Sequence, residues 1–394
     1  MEILLGLFVK LTLIIMVIIN CKLPNMYREI NAYLLFYSCS ILSYFEFLGV
    51  LTGFDPTNYN GILFGITFLM PFLALASFKF NSEVKSQSNI FLLIAINPAY
   101  QITGPFPNNL NFKYISFAKI IKRFFVLSPY IIIGLLFIAI ICPVLYTFAS
   151  LKNSTNPFDF IIFGLIIEFY VYFNFCGFSM IAFAVLRSIG FHPILNFNQP
   201  FGALNIIEYW KRWHVSFSFI LKILFFDRIR KSTSIAVAIF ITFLSSALWH
   251  GVSLNFITWG IFHSCIWLVS YKLSNYSKTK YINYLIFVFA IIIGRNLSAE
   301  INFDILILKI HNLFINNEWL WHKSLIASWK FEFKISFILM IAVLIVSLEI
   351  LLTCLNIKKI RYEYLRHPFS IAIMSILFFL FFEGFYNYPF YGAR

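Results

Sequence analysis

The sequence predicts an all-α, polytopic membrane protein of about ten transmembrane helices, and three observations carry that expectation. The 394 residues are 61% hydrophobic and 20% aromatic but only 12% charged, whereas an ordinary soluble domain carries about 25% charged residues. Apolar runs long enough to cross a hydrocarbon core of roughly 30 Å recur along the whole length. Between them lie apolar stretches interrupted by proline, as expected where irregular backbone at membrane depth is buried inside protein. Residues 1–394 therefore read as a single membrane domain.

Taken in order, the expected spans lie near 3–20, 31–53, 61–78, 124–149, 158–186, 232–250, 254–271, 281–296, 335–356 and 369–387. The first opens Met-Glu with no basic leader region and no small-residue cleavage motif, so it reads as a retained span with no targeting segment before it. Segments 89–110 and 190–225 are broken by Pro98, Pro105, Pro107, Pro193 and Pro200. They read as re-entrant or interfacial pieces, because proline removes a backbone donor and clashes with the preceding turn. The connection 297–334 joins an amphipathic stretch, 301–314, to Trp319, Trp321 and Trp329. That pattern predicts a helix lying in the membrane interface.

The basic residues agree with this map. If residues 21–30 face the cytoplasm, the large majority of the 30 Lys and Arg fall on that side, as positive-inside orientation requires, and both termini lie outside. The net charge of +14 then belongs to loops facing anionic lipid headgroups, and nucleic acid is excluded as a partner because no soluble basic domain is present. The six cysteines, Cys21, Cys39, Cys142, Cys176, Cys265 and Cys354, stand singly in apolar stretches and read as buried thiols. No metal site is apparent.

Polar groups inside lipid are costly, so each marks a candidate site. They concentrate in two clusters. The first, Glu208-Tyr209-Trp210-Lys211-Arg212-Trp213-His214, follows Asn196-Phe197-Asn198-Gln199-Pro200-Phe201. It could grip a polar headgroup near the cytoplasmic face, or equally form an interfacial helix anchored by Trp and Lys. The second, Ser245-Ser246-Ala247-Leu248-Trp249-His250-Gly251, puts an imidazole at the end of an apolar span, followed by Trp259-Gly260 and His263. A desolvated, neutral His250 is suited to taking a hydroxyl proton, although a membrane histidine also serves as an interhelical hydrogen-bonding residue.

These motifs, in this order and together with Asn174-Phe175-Cys176-Gly177-Phe178-Ser179, resemble the membrane-bound O-acyltransferase family. Within it the resemblance is to the bacterial branch of alginate O-acetylases, peptidoglycan O-acetylases and D-alanyl-teichoic acid transferases. The core of the match runs over about 170–265, with weaker echoes at Gln101-Ile102-Thr103-Gly104-Pro105 and Gly294-Arg295-Asn296. The resemblance implies a funnel-shaped helical fold with a buried tunnel. It places His250 deep in that tunnel and His214 near its cytoplasmic entrance, as the two catalytic residues.

The implied reaction moves an acetyl or D-alanyl group from a cytoplasmic acyl thioester, carried by coenzyme A or an acyl carrier protein, to a hydroxyl of an exported cell-envelope polymer. The thioester is a co-substrate; no tightly bound cofactor is expected. His250 would be the general base, Trp249 and Trp213 would shape the tunnel, Arg212 and Lys211 would attract anionic parts of the donor, and Asn198 or Gln199 would orient its carbonyl. Each of these has an ordinary structural alternative in ring packing, headgroup contact or satisfaction of broken backbone.

Glu46 and Glu168 lie within spans and are expected to be paired internally or protonated, and His192, His263, His311, His322 and His367 to be structural. The expected location is the bacterial cytoplasmic (inner) membrane, with an extracytoplasmic polymer and a partner transferase outside. A lipid-linked glycan flippase and a non-catalytic scaffold are the competing readings; both predict that acyl transfer does not depend on His250.

Overall fold

The computed structural model describes residues 115–274, 279–300, 302–314 and 333–355, with residues 30, 32–34, 36, 37, 104, 319 and 324–326 in addition. All regular structure among the described residues is helical. The expected spans at 3–20, 61–78 and 369–387, most of 31–53, and the segment 89–110 apart from Gly104 lie outside them.

Helix α1 (Phe117–Leu136) runs through a π-helical turn (Phe137–Ile141) into α2 (Cys142–Thr147) and a closing 3₁₀ turn (Phe148–Asn153). Helix α3 (Pro157–Ile189) is started by Asn156, whose side chain accepts from Phe158 N–H at 2.9 Å, and by Pro157, which has no N–H to satisfy. It ends at Gly190, in the left-handed region at φ 115°, where Phe191 N–H donates back to the Leu186 carbonyl. Short helices α4 (Ile206–Arg212), α5 (Val215–Leu221) and α6 (Asp227–Ser232) follow, then α7 (Ile235–His250), α8 (Leu254–Leu273), α9 (Lys280–Ala299), α10 (Phe303–Phe314) and α11 (Phe333–Cys354).

Among the described residues four stretches are long and apolar enough to cross a membrane: Phe117–Asn153, Pro157–Ile189, Lys280–Ala299 and Phe333–Cys354. Each coincides with an expected span. Helix α7 occupies the expected 232–250 but is only 16 residues long. Helix α8 fills 254–271, yet it buries Asn255, His263, Ser264 and Ser270, and it does not count among the four. The interrupted region 190–225 is a chain of turns and short helices.

Helix α3 is the centre of the assembly, packed by α1 on one side and α9 on another, while α9 packs α8 and α8 packs α7. Small residues set these approaches, as expected where apolar surface alone gives helices no reason to prefer each other over lipid. Gly134 of α1 and Gly177 of α3 face one another: a Cβ on Gly134 would meet the Gly177 carbonyl at 2.6 Å, and one on Gly177 would meet the Gly134 carbonyl at 2.8 Å. Gly164 of α3 fits against the Ile292 carbonyl of α9, and Gly260 of α8 against Ala247 of α7.

The expected interfacial helix at 301–314 forms as α10, but it is tied down by polar contacts that composition did not suggest. Lys309 is buried, 2.6 Å from the Glu300 carboxylate, and also donates to the Lys152 carbonyl. Asn312 donates to Thr155 O at 3.2 Å. Beyond it, Leu325 and Ile326 N–H groups donate to the buried Asp159 carboxylate at 2.8 and 3.2 Å, and Trp319 meets Phe158 edge-on. The thiols also depart in part from expectation: Cys142 and Cys176 are buried, but Cys265 and Cys354 lie on exposed helix faces.

Candidate active site

The loop before α4 is what shapes the site. Asn196 accepts from Val215 N–H through its carbonyl at 2.8 Å and from Ser216 through its side chain, while Asn198 N–H donates to the Arg212 carbonyl at 3.0 Å. These bonds clamp residues 196–198 to 212–216. They hold His214 between α4 and α5 in a left-handed conformation, φ 43° and ψ 54°, that a non-glycine residue adopts only when its surroundings enforce it. Helix α4 is itself capped by Asn205, which accepts from Glu208 N–H, while the Glu208 carboxylate accepts from Leu204 N–H.

His250 is the last residue of α7. The chain turns away at Gly251, φ 149°, a conformation a side chain would strain. Its ring stacks on Phe256 at 5.4 Å, meets Trp249 at 4.7 Å and meets Trp259 at 5.9 Å. The imidazole of His214 meets Phe175 and Phe217, and Phe217 packs on Trp249 at 4.3 Å, so a run of rings joins the two histidines.

Both histidines line one cavity of about 560 Å³, whose walls also carry Trp210, Trp213, Trp249 and Trp259. Burial lowers the His214 pKa to about 3, from an ordinary 6.5, and the neighbouring His250 adds to the same direction. His214 is therefore a neutral imidazole at physiological pH.

Glu168 and Arg295 add a polar wall to the same cavity. Glu168 of α3 accepts from Arg295 Nε at 2.7 Å and lies 2.6 Å from Arg295 Nη2, and it also accepts from the Tyr209 hydroxyl. The expectation that Glu168 is paired internally is met by a partner 127 residues away. His263, expected to be structural, also lines the cavity: it packs on Trp259, Trp210 and Phe243 and sits directly over Gly294 of α9. The signal that could have found this wall was an arginine at a span end with a glutamate inside another span.

Of the sequence-selected residues, the structure gathers His250, His214, Trp249, Trp213 and Lys211 on the cavity. It does not bring Asn198, Gln199 or Arg212 there. Asn198 and Gln199 line a separate cavity of about 20 Å³ with Glu349 of α11. Arg212 donates to the Gln199 carbonyl and to Thr353 Oγ1, both at 3.2 Å, and lies 3.4 Å from Glu208. Glu349 accepts from Tyr172 OH and from Phe201 N–H at 3.2 Å. Arg212 through Thr353 and Phe201 through Glu349 thus fasten the loop to α11. Among the described residues no group of three or more His, Cys, Asp or Glu is placed to hold a metal.

Residues 99–308, more than half of the chain, match the model of the membrane-bound O-acyltransferase family. The chain belongs to that family. The matched region contains both histidines, the loop that clamps His214 and the Glu168–Arg295 wall. Among curated relatives it is 36% identical over 106 residues to a probable alginate O-acetylase of Pseudomonas fluorescens, covering 26% of this chain and 21% of the relative. It is 32% identical over 129 residues to a teichoic acid D-alanyltransferase of Streptococcus thermophilus, covering 28% and 31%. It is 33% identical over 101 residues to a peptidoglycan O-acetyltransferase of Helicobacter pylori, covering 24% and 19%. Each match spans less than a third of the relative's length.

Proposed function

We propose that this family member transfers an acyl group from a thioester donor on the cytoplasmic side of the bacterial inner membrane to a hydroxyl of an exported cell-envelope polymer. The observation that carries the reading is the meeting of His214 and His250 in one aromatic, largely apolar cavity. The names of the relatives, which acetylate or D-alanylate envelope polymers, point to the same chemistry.

In this reading His250 takes the proton of the acceptor hydroxyl as its oxygen attacks the thioester carbonyl, then returns that proton to the departing thiolate as the C–S bond breaks, so that the thiol leaves toward the cytoplasm and the imidazole is neutral again. No covalent enzyme intermediate is required. The aromatic walls exclude water, which protects the thioester and holds donor and acceptor in line, an effect that can lower the barrier by several kcal/mol. Neutral His214 closes the other side of the cavity without placing a charge there. Lys211, exposed beside it, favours anionic parts of coenzyme A or an acyl carrier protein. In this reading the described helices belong to a funnel-shaped bundle that surrounds the cavity. A partner transferase outside the membrane completes delivery to the polymer.

The test is the base-labile ester content of the cell envelope, measured by mass spectrometry in cells expressing wild type or His250→Ala at matched membrane levels. The reading expects a wild-type ester that disappears in the variant. An ester content indifferent to His250 would sink it and favour a flippase or scaffold.

A further inference from the structure

The cavity's electrostatics bear on which acyl group it accepts, a question that rests on the acyl-transfer reading above. Among the described residues lining it, Glu168 is the one acid, and it is engaged: one oxygen faces Arg295 Nε and Nη2, the other takes the Tyr209 hydroxyl. The pair is buried, with Arg295 9% and Glu168 3% exposed, so the carboxylate is committed to its guanidinium and is not available as a counter-ion for a second cation. Lys222 at the rim is matched by Asp227, outside the lining, at 2.6 Å, and exposed Lys211 adds a further positive charge.

Hydrogen-bonding capacity points the same way. Trp210 lines the wall with its indole N–H buried and without a partner among the described residues. An indole nitrogen can only donate, so the group it seeks is an acceptor such as a carbonyl oxygen. Trp210 lies 5.7 Å from Trp259, whose ring is 5.9 Å from that of His250, so this donor stands in the same chamber as the candidate base. An ammonium group would meet only neutral acceptors among the described lining residues, such as the His263 imidazole and the Ser246 hydroxyl, and a carboxylate already in use. The surrounding rings offer it cation–π attraction, which is weak beside the cost of burying a charge with no counter-ion.

We infer that the cavity takes a short uncharged acyl group, of the acetyl class, in preference to an aminoacyl group bearing an ammonium, with Trp210 donating to an acyl oxygen. The selection lies in what the described residues of the wall do not offer: a carboxylate free to pair with a cation.

The test uses the full chain in lipid nanodiscs, titrated with S-acetylpantetheine and with S-alanylpantetheine while following tryptophan fluorescence. The acetyl thioester is expected to bind at least about tenfold more tightly. Ser246, buried on the cavity wall one turn before His250, gives a second arm: Ser246→Asp supplies the missing carboxylate and should narrow or reverse the preference. Equal or tighter binding of the alanyl thioester by wild type overturns the inference, and so does binding of neither thioester.

Envelope analysis separates this from the parent reading. Acetate released by alkali in a His250-dependent manner fits both. Released alanine overturns the inference while acyl transfer stands, and release of neither defeats both.

Discussion

Removing the Glu168–Arg295 pair one partner at a time and then together gives the sharpest test of the polar wall. Both side chains are almost fully buried and lie 2.6 Å apart. Arg295→Met takes the guanidinium away from a buried carboxylate that keeps the Tyr209 hydroxyl, and Glu168→Gln replaces the counter-ion of a buried guanidinium by a neutral amide. Stranding a buried charge in this way costs about 3–5 kcal/mol. If the two losses were independent, the double variant would lose roughly 6–10 kcal/mol, the sum of those two costs, and would not fold.

The structure predicts otherwise. With both replaced, Arg295→Met with Glu168→Leu, no buried charge remains, and replacing a whole buried pair by apolar side chains is often neutral or stabilising. The double variant should therefore be more stable than either single one. Thermal unfolding of the detergent-purified chain, followed by size-exclusion chromatography after heating, reads this directly. A double variant that falls below both single variants would refute the idea that the two charges answer each other.

His250→Ala should lower acyl transfer by about 10²–10⁴-fold, the usual worth of a general base, while the yield of folded protein stays the same; loss of folding instead would assign the ring to packing. His214 carries a pKa lowered to about 3, so it stays neutral when folded while the unfolded chain takes up its proton near 6.5. Its contribution is full above about pH 6.5 and declines as pH falls toward 3, and His214→Asn should flatten that slope in an unfolding series from pH 4 to 8. Gly177→Val presses a side chain into the Gly134 carbonyl and should destabilise the α1–α3 crossing by about 1–3 kcal/mol, visible as a lower unfolding temperature. Gly251→Ala strains a residue at φ 149° and shifts His250, so it should reduce transfer more than it reduces stability when both are measured on one preparation.

Much of the helical framework was legible because lipid enforces a simple rule: a long apolar run must be a helix to satisfy its own backbone. Hence α1 with its continuation, α3, α9 and α11 appear where hydropathy puts them. Each histidine alone also fits interhelical hydrogen bonding, and what the structure adds is that His214 and His250 line the same cavity. What sequence could not supply was the identity of distant partners. Arg212 reads as a cation for an anionic donor, yet its neighbours are Gln199 and Thr353, the latter 141 residues away. Gln199 and Asn198 read as donor-orienting amides, but Glu349 draws their loop toward α11. Glu168 needed a carboxylate's usual company, and only the packing of α3 on α9 says that Arg295 provides it. His263 was passed over because nothing in its neighbours along the chain indicates that Gly294 leaves room for its ring at the cavity wall.

Helix α3 has a further meaning as a mechanical part. Its 33 residues form a rod of roughly 50 Å, with Asp159 at one end gripping the 324–326 segment and Glu168 two to three turns along it. A protein or polymer that pulled on that segment would be pulling on the same rigid element that presents Glu168 to Arg295. Events at the 324–326 surface and the shape of the chamber around His250 are thus linked by one stiff strut, and loosening the grip at Asp159 would uncouple them without touching a single residue of the cavity.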